Sequence, residues 1–283
     1  MMLRLHEVRK TFGTLVAVDR LSLDIQKGEV FGLLGPNGAG KTTTVSMIVG
    51  LLSPDHGRVE IDGGGSPSDP KCRRQIGVAP QSLALYDNLS GEENLRFFGK
   101  LYGYVGADLK SRVNAVLDFV ELRDRARSLV KTYSGGMKRR LNLAAAMIHD
   151  PMLLLFDEPT VGVDPQSRHA ILQRIKELRR EGRTVIYTTH YMEEAQRLCD
   201  RVAIMDHGRV LALDTVDALI AKHGGKSVVI ADTTEGEVRH DTDDPVAEFN
   251  RLQKDAKVLR FRVERPDLES VFLRLTGRHL RDT

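Results

Sequence analysis

Val30-Phe-Gly-Leu-Leu34, running into Gly35-Pro-Asn-Gly-Ala-Gly40-Lys41-Thr42-Thr43, decides the fold. The first five residues form an apolar run, the pattern of a strand buried on both faces of a parallel sheet. The next eight match G-x-x-x-x-G-K-[ST]. Glycines let this backbone curl so that successive N–H groups point inward at anionic oxygens. A helix expected from Thr42 to about Val49 adds the partial positive charge of its N-terminus. Lys41 supplies a point charge for β- and γ-phosphates, and the Thr42 hydroxyl suits Mg²⁺. The bland alternative is a glycine-rich strand-to-helix turn without a ligand.

Three further runs extend the sheet. Met152-Leu-Leu-Leu-Phe156 and Thr184-Val-Ile-Tyr-Thr188 read as buried strands. Val202-Ala-Ile-Met205 turns back at Asp206-His207-Gly208 into Arg209-Val210-Leu211, a hairpin pattern. Between the first two lies a helix with Asp164 as N-cap, Pro165 at its first position, an apolar stripe of Ile171, Ile175 and Leu178, and Gly182 as its stop. Strand, helix and strand in this order predict a parallel sheet with helices on its faces.

Two carboxylates, Asp157 and Glu158, end the Met152 to Phe156 run. At the C-terminal end of a parallel strand they face the ligand crevice. Asp157 suits Mg²⁺ coordination, and Glu158 can orient or deprotonate an attacking water. Two solvated turn carboxylates are the plainer reading. His190 follows the Thr184 strand; alone it reads as a structural or helix-capping histidine, or as a donor to a γ-phosphate.

From about Leu85 to Ile148 the pattern is helical. Ser90-Gly-Glu-Glu93 is a capping box. Asp108 is expected to begin a second helix with Val113, Val116, Leu117 and Val120 on its apolar side. Ser134 precedes a third, ending near Ile148. After His223-Gly224-Gly225 the order reads strand (Ser227 to Ala231), helix (about Val246 to Gln253), strand (Val258 to Val263) and helix (Pro266 to Leu275).

The 283 residues allow one large domain, or one domain and an appendix. With 42 Lys+Arg against 39 Asp+Glu, charge argues against a binder held mainly by counterion release. No apolar run nears the ~20 residues that span a bilayer, and the N-terminus lacks a signal-peptide core. Two cysteines cannot build a disulfide framework, which suits a reducing compartment. A soluble, enzymatic chain is expected; nucleic acid is not an expected partner.

Taken together, these elements resemble an ATP-binding cassette (ABC) ATPase. The discriminating piece is Tyr133-Ser134-Gly135-Gly136-Met137-Lys138-Arg139-Arg140, similar to the family signature LSGGQ. Phe12 is similar to the aromatic residue that stacks on adenine, Gln81 to the glutamine-loop residue, Val161-Gly162-Val163-Asp164 to the loop after the catalytic glutamate, and His190 to the switch histidine. Departures are Tyr133 for leucine, Met137 for glutamine, Phe12 for tyrosine and Val163 for leucine. None removes a catalytic group.

The resemblance covers about Leu3 to Leu219. It implies an α/β P-loop NTPase: a RecA-like core, an antiparallel β subdomain and a helical subdomain (about 85–148), together 1–222, with a C-terminal α+β accessory module over 223–283. ATP and Mg²⁺ are the implied cofactors. Nucleotide would be bound by Phe12, Gly35, Pro36, Asn37, Gly38, Ala39, Gly40, Lys41, Thr42, Thr43 and Gln81, and across a head-to-tail dimer by Ser134, Gly135, Gly136 and Asp164. Thr42, Gln81 and Asp157 would hold the metal. Glu158, His190 and Lys41 would be catalytic.

Tyr133 to Arg140 and Pro266 to Gly277 are similar to stand-alone ATPase subunits of drug, antibiotic, lipid or polysaccharide exporters. That implies a separate membrane permease, a second ATP-binding subunit in a head-to-tail homodimer, and a place on the cytoplasmic face of the membrane. Ser82 to Phe98 (SLALYDNLSGEENLRFF) would dock the permease. By itself it reads as a surface turn and an amphipathic helix. The rival reading is a soluble cassette acting on ribosomes or nucleic acid.

Overall fold

The computed structural model describes residues 1–255 and 257–277. Residues 278–283 of the expected C-terminal module lie outside the described residues. The chain divides into two compact units, 1–213 and a second beginning at Asp214.

The first unit opens with long antiparallel strands β1 (Leu3–Phe12) and β2 (Leu15–Ile25), then β3 (Val30–Leu34). The phosphate-loop segment leads into α1 (Lys41–Ile48). β4 (His56–Ile61), the single-turn α2 (Pro70–Arg73) and β5 (Ile76–Ala79) follow. Three helices come next: α3 (Gly91–Leu101), α4 (Gly106–Phe119) and α5 (Gly135–Met147). The chain then alternates β6 (Leu153–Asp157), α6 (Pro165–Arg180), β7 (Thr184–Thr189), α7 (Met192–Leu198), β8 (Arg201–Asp206) and β9 (Arg209–Thr215).

The central sheet has the order β5-β6-β7-β3-β8-β9. The pairs β5/β6, β6/β7, β7/β3 and β3/β8 are parallel. Every residue of β3, β6 and β7 is buried, as runs without polar alternation require. β8 and β9 are joined by His207 and Gly208, both with positive φ (45° and 76°), the twist a two-residue hairpin needs. A second sheet, β2-β1-β4, is antiparallel. Its Leu3, Leu5, Val8, Leu21, Leu23 and Ile25 share one core with Phe31, Leu33, Leu155, Ile186 and Met205 of the central sheet and with Val45, Met47 and Ile48 of α1.

The helices α3 to α5 have a core of their own around Leu95, Leu109, Val113, Leu117, Leu141 and Ile148. Ser90 forms the expected capping box with Glu93. The second helix begins at Gly106 and not at Asp108: Val105 is the N-cap without a side-chain bond, and Asp108 sits in the first turn, where a carboxylate complements the helix dipole.

The second unit contains α8 (Val216–His223), β10 (Ser227–Thr233), β11 (Gly236–Thr242), α9 (Pro245–Asp255), β12 (Val258–Glu264) and α10 (Leu268–Thr276). Its sheet has the order β11-β10-β12, both pairs antiparallel. β11 corrects the expected passage from strand directly to helix. Its residues GEVRHDT alternate between exposed and half-buried and carry mostly polar side chains, as an edge strand does. Leu252 of α9 packs on Val229 and Ala231.

Candidate active site

Neighbouring parallel strands bring their C-terminal ends to one edge of the sheet. The register pairs Asp157 with Thr188 and Leu34 with Thr189, so the segments after β6, β7 and β3 emerge side by side. Such a crevice is where an open α/β sheet takes its ligand.

After β3 the backbone turns through conformations that need glycine. Gly35 has φ 157°, and a Cβ there would lie 2.4 Å from the Met205 carbonyl oxygen. Gly40 has φ 98°, and a Cβ would lie 2.4 Å from the Ala17 carbonyl oxygen. α1 starts directly from Gly40 with no side-chain cap, which leaves its amide end for the loop and its ligand. Lys41 is 7% exposed; its Nζ donates to the carbonyls of Gly35 (2.7 Å) and Pro36 (3.0 Å), fastening the curl. Burial lowers the pKa of this ammonium, while the charges of Glu158 and Asp157 oppose the shift.

A cavity of about 370 Å³ opens over this loop. Phe12, Asn37, Gly38, Ala39, Gly40, Lys41, Thr42, Thr43, Gln81, Asp157 and Glu158 line it, all of them expected from sequence. Leu15, Val16, Ala17 and His207 line it too, and no sequence pattern marked them as site residues. Phe12 ends β1 with about half its surface exposed, and Lys10 Nζ lies over its ring at 5.8 Å from the centroid.

Asp157 is the last residue of β6; its Oδ1 accepts from Thr188 Oγ1 (2.5 Å). Glu158 has φ 46°, a left-handed conformation uncommon outside glycine and one that clusters at functional sites. Its N–H donates to the Thr188 carbonyl (3.1 Å) and lies 3.0 Å from Thr188 Oγ1. Its carboxylate is bracketed: Gln81 Nε2 donates to Oε2 (3.0 Å), and His190 Nδ1 lies 3.3 Å from Oε1. Gln81, Glu158 and His190 thus follow the adjacent strands β5, β6 and β7. His190 reaches the cavity through Glu158; it is not among the residues that line it.

Thr42, Gln81 and Asp157 line the same cavity with hydroxyl, amide and carboxylate groups. Few protein oxygens, with phosphate oxygens beside them, are what Mg²⁺ takes. Among the described residues no group of three or more His, Cys, Asp or Glu is placed to hold a metal ion.

Ser134, Gly135, Gly136 and Asp164 lie outside that cavity. Ser134 is the N-cap of α5, accepting from Met137 N (3.2 Å). Gly136 packs so closely that a Cβ would lie 2.3 Å from Ser167 Oγ. Asp164 caps α6 by accepting from Ser167 N (2.9 Å), and that bond holds its carboxyl below the ordinary range. Tyr133 points away, its hydroxyl donating to the Arg125 carbonyl (2.7 Å) within the helical core, so the Ser-Gly-Gly is left undisturbed. Arg139 carries no sequence pattern of its own beyond its place after the Ser-Gly-Gly. Its Nη1 donates to the Gln81 carbonyl (2.5 Å) and its Nη2 to that of Val161 (3.4 Å), tying α5 to the segments on either side of Glu158.

A family model described as ABC transporter matches residues 18–161. The linearmycin resistance ATP-binding protein LnrL of Bacillus subtilis is 41% identical, over 99% of this chain and all of that protein. The Nod factor export ATP-binding protein I of Cupriavidus metallidurans is 43% identical over 99% of each chain. Among solved structures, an ATP-binding subunit of an ABC transporter has TM-score 0.71 and 32% identity, covering 79% of this chain and 94% of that one. A dimeric post-hydrolysis ATP-binding cassette bound to ADP and Pi has TM-score 0.69 and 30% identity, covering 76% and 98%.

Proposed function

Because the chain belongs to the ABC transporter family, as an ATP-binding subunit of the exporter type, we propose a specific division of labour among its residues. It is an ATPase coupled to transport. In our reading adenine stacks on Phe12, the residues from Gly35 to Thr43 cradle the phosphates, and Lys41 contacts the β- and γ-phosphate oxygens. Thr42, Asp157 and Gln81 would hold Mg²⁺, which when bound neutralises phosphate charge. Glu158 accepts a proton from the attacking water, and His190 donates toward the γ-phosphate. Roles of this kind fit phosphoryl transfer, where catalysis is mostly positioning and electrostatics.

One observation carries the reading. Glu158 is held by Gln81 and His190 at 3.0 and 3.3 Å, on the wall of the cavity that Lys41 and Thr42 also line. Glu158→Gln keeps size and removes basicity. Turnover should fall by about 10²- to 10⁴-fold with ATP binding retained. Turnover at the wild-type rate would refute the role of base.

We assign residues 1–222 to the nucleotide-binding domain and 223–283 to an accessory module with a regulatory or dimer-stabilising role. Ser134, Gly135, Gly136 and Asp164 would serve the ATP of a second, identical chain paired head-to-tail. Tyr86 and Phe97, exposed and edge-to-face at 5.0 Å, would take part in docking a separately encoded permease at the cytoplasmic face of the membrane. The cargo would be a small drug-, antibiotic- or lipid-like molecule, since relatives are named for linearmycin resistance and Nod factor export.

A further inference from the structure

Glu194, in the first turn of α7, is 4% exposed, yet it is a carboxylate. Burial of such a group is unfavourable unless its oxygens are satisfied. One oxygen, Oε2, accepts from three hydroxyls: Tyr187 (2.7 Å), Thr160 (2.9 Å) and Thr189 (3.1 Å). The other, Oε1, accepts no hydrogen bond and is balanced only by the charge of Arg168 of α6, whose Nε lies 3.4 Å away. The Arg168 guanidinium also covers the Tyr191 ring at 4.7 Å.

These partners are not scattered. Thr160 stands two residues after Glu158, and Thr189 stands one residue before His190. Side chains alternate along a strand. Thr188 faces Asp157 and Glu158, while Tyr187 and Thr189 turn the other way to Glu194. Glu158 therefore has its strained backbone fixed from two sides: by Thr188 at its own N–H, and by Glu194 through Thr160. A core position chosen for packing alone would carry an apolar side chain and no hydroxyl partners.

We propose that Glu194 is a positioning residue for ATP hydrolysis. It clamps the segment carrying Glu158 to the turn carrying His190, so that base and γ-phosphate donor move as one piece. This rests on the roles given to Glu158 and His190 above.

The test is steady-state ATPase of the full chain, with ATP affinity read by a fluorescent ATP analogue. Glu194→Gln should lower kcat by about tenfold or more, with KM and nucleotide Kd within about twofold. Thr160→Val and Tyr187→Phe, which keep the carboxylate, should each lower kcat by about threefold. In a Glu158→Gln/His190→Ala background Glu194→Gln should add nothing to the loss, because it acts through those two residues. A wild-type kcat in Glu194→Gln overturns the proposal, as does a kcat loss matched by lost affinity or one that multiplies with the Glu158→Gln/His190→Ala pair. Should Glu194→Gln fail to fold, wild-type kcat in both Thr160→Val and Tyr187→Phe overturns it. Glu158→Gln and His190→Ala alone separate the two ideas. If they turn over normally, the site reading fails; if they are inactive while Glu194→Gln is normal, the clamp alone fails.

Discussion

His149 shows how a single buried side chain sets a pH limit. Its ring stacks on Tyr102 with centroids 3.8 Å apart, and Nε2 is 3.0 Å from the Ile76 carbonyl. Burial pushes the imidazole down to about 4, although the bond to Ile76 pulls the other way. An unfolded histidine titrates near 6.5. Below that pH the unfolded chain takes up a proton that the fold refuses until about 4. Stability should therefore decline as pH falls from 6.5 toward 4, because the unfolded state binds more protons there. His149→Gln keeps an N–H donor and cannot titrate. Its urea midpoint should fall less than the wild-type midpoint between pH 6.5 and 5; an equal fall would remove His149 as the cause. At the same scale, Lys41 and Glu158 were legible because phosphate chemistry demands their types at fixed places. Glu194 and Arg139 were not, because a buried carboxylate or guanidinium has no spacing rule; only folding brings its partners together.

Among elements, α5 does two jobs. Its first residues offer Ser134-Gly-Gly, and one turn later Arg139 reaches back to the carbonyls of Gln81 and Val161. Arg139→Ala should cost about 1–2 kcal/mol of stability, the worth of hydrogen bonds from a charged donor at a half-buried site. Urea unfolding measures it, and an unchanged midpoint would mean that those bonds are replaced by water at no cost. Capping residues made several elements readable. Ser90 marks α3, Ser134 marks α5, and Asp164 with Pro165 marks α6. β11 escaped notice because an edge strand needs no apolar alternation strong enough to see. α4 starts two residues before the acid that suggested it, since Asp108 answers the helix dipole and does not cap. The antiparallel pair β1 and β2 was expected through family resemblance and not through its own residues.

For the whole molecule, the decisive arrangement is that Ser134, Gly135 and Gly136 stand apart from the cavity over their own phosphate loop. The proposed head-to-tail pair gives them a partner's ATP. A Glu158→Gln chain with ATP should thus elute at twice the monomer mass in light-scattering chromatography and return to monomer once ATP is removed; a monomer at all ATP concentrations would sink the pairing. No helix among the described residues is long and apolar enough to cross a membrane.

The central sheet also dictates an order of events during synthesis. β3 is made early, yet both its neighbours come late: Val30 pairs with Val185, and Phe31 with Arg201. At about 5–20 residues per second, the phosphate loop's strand waits on the order of ten to thirty seconds for its partners. Non-local pairing of this kind is slow, and an unpaired apolar strand is prone to aggregate. The nascent chain is most vulnerable in that interval, and it gains a competent ATP site only when its last core strands have been made.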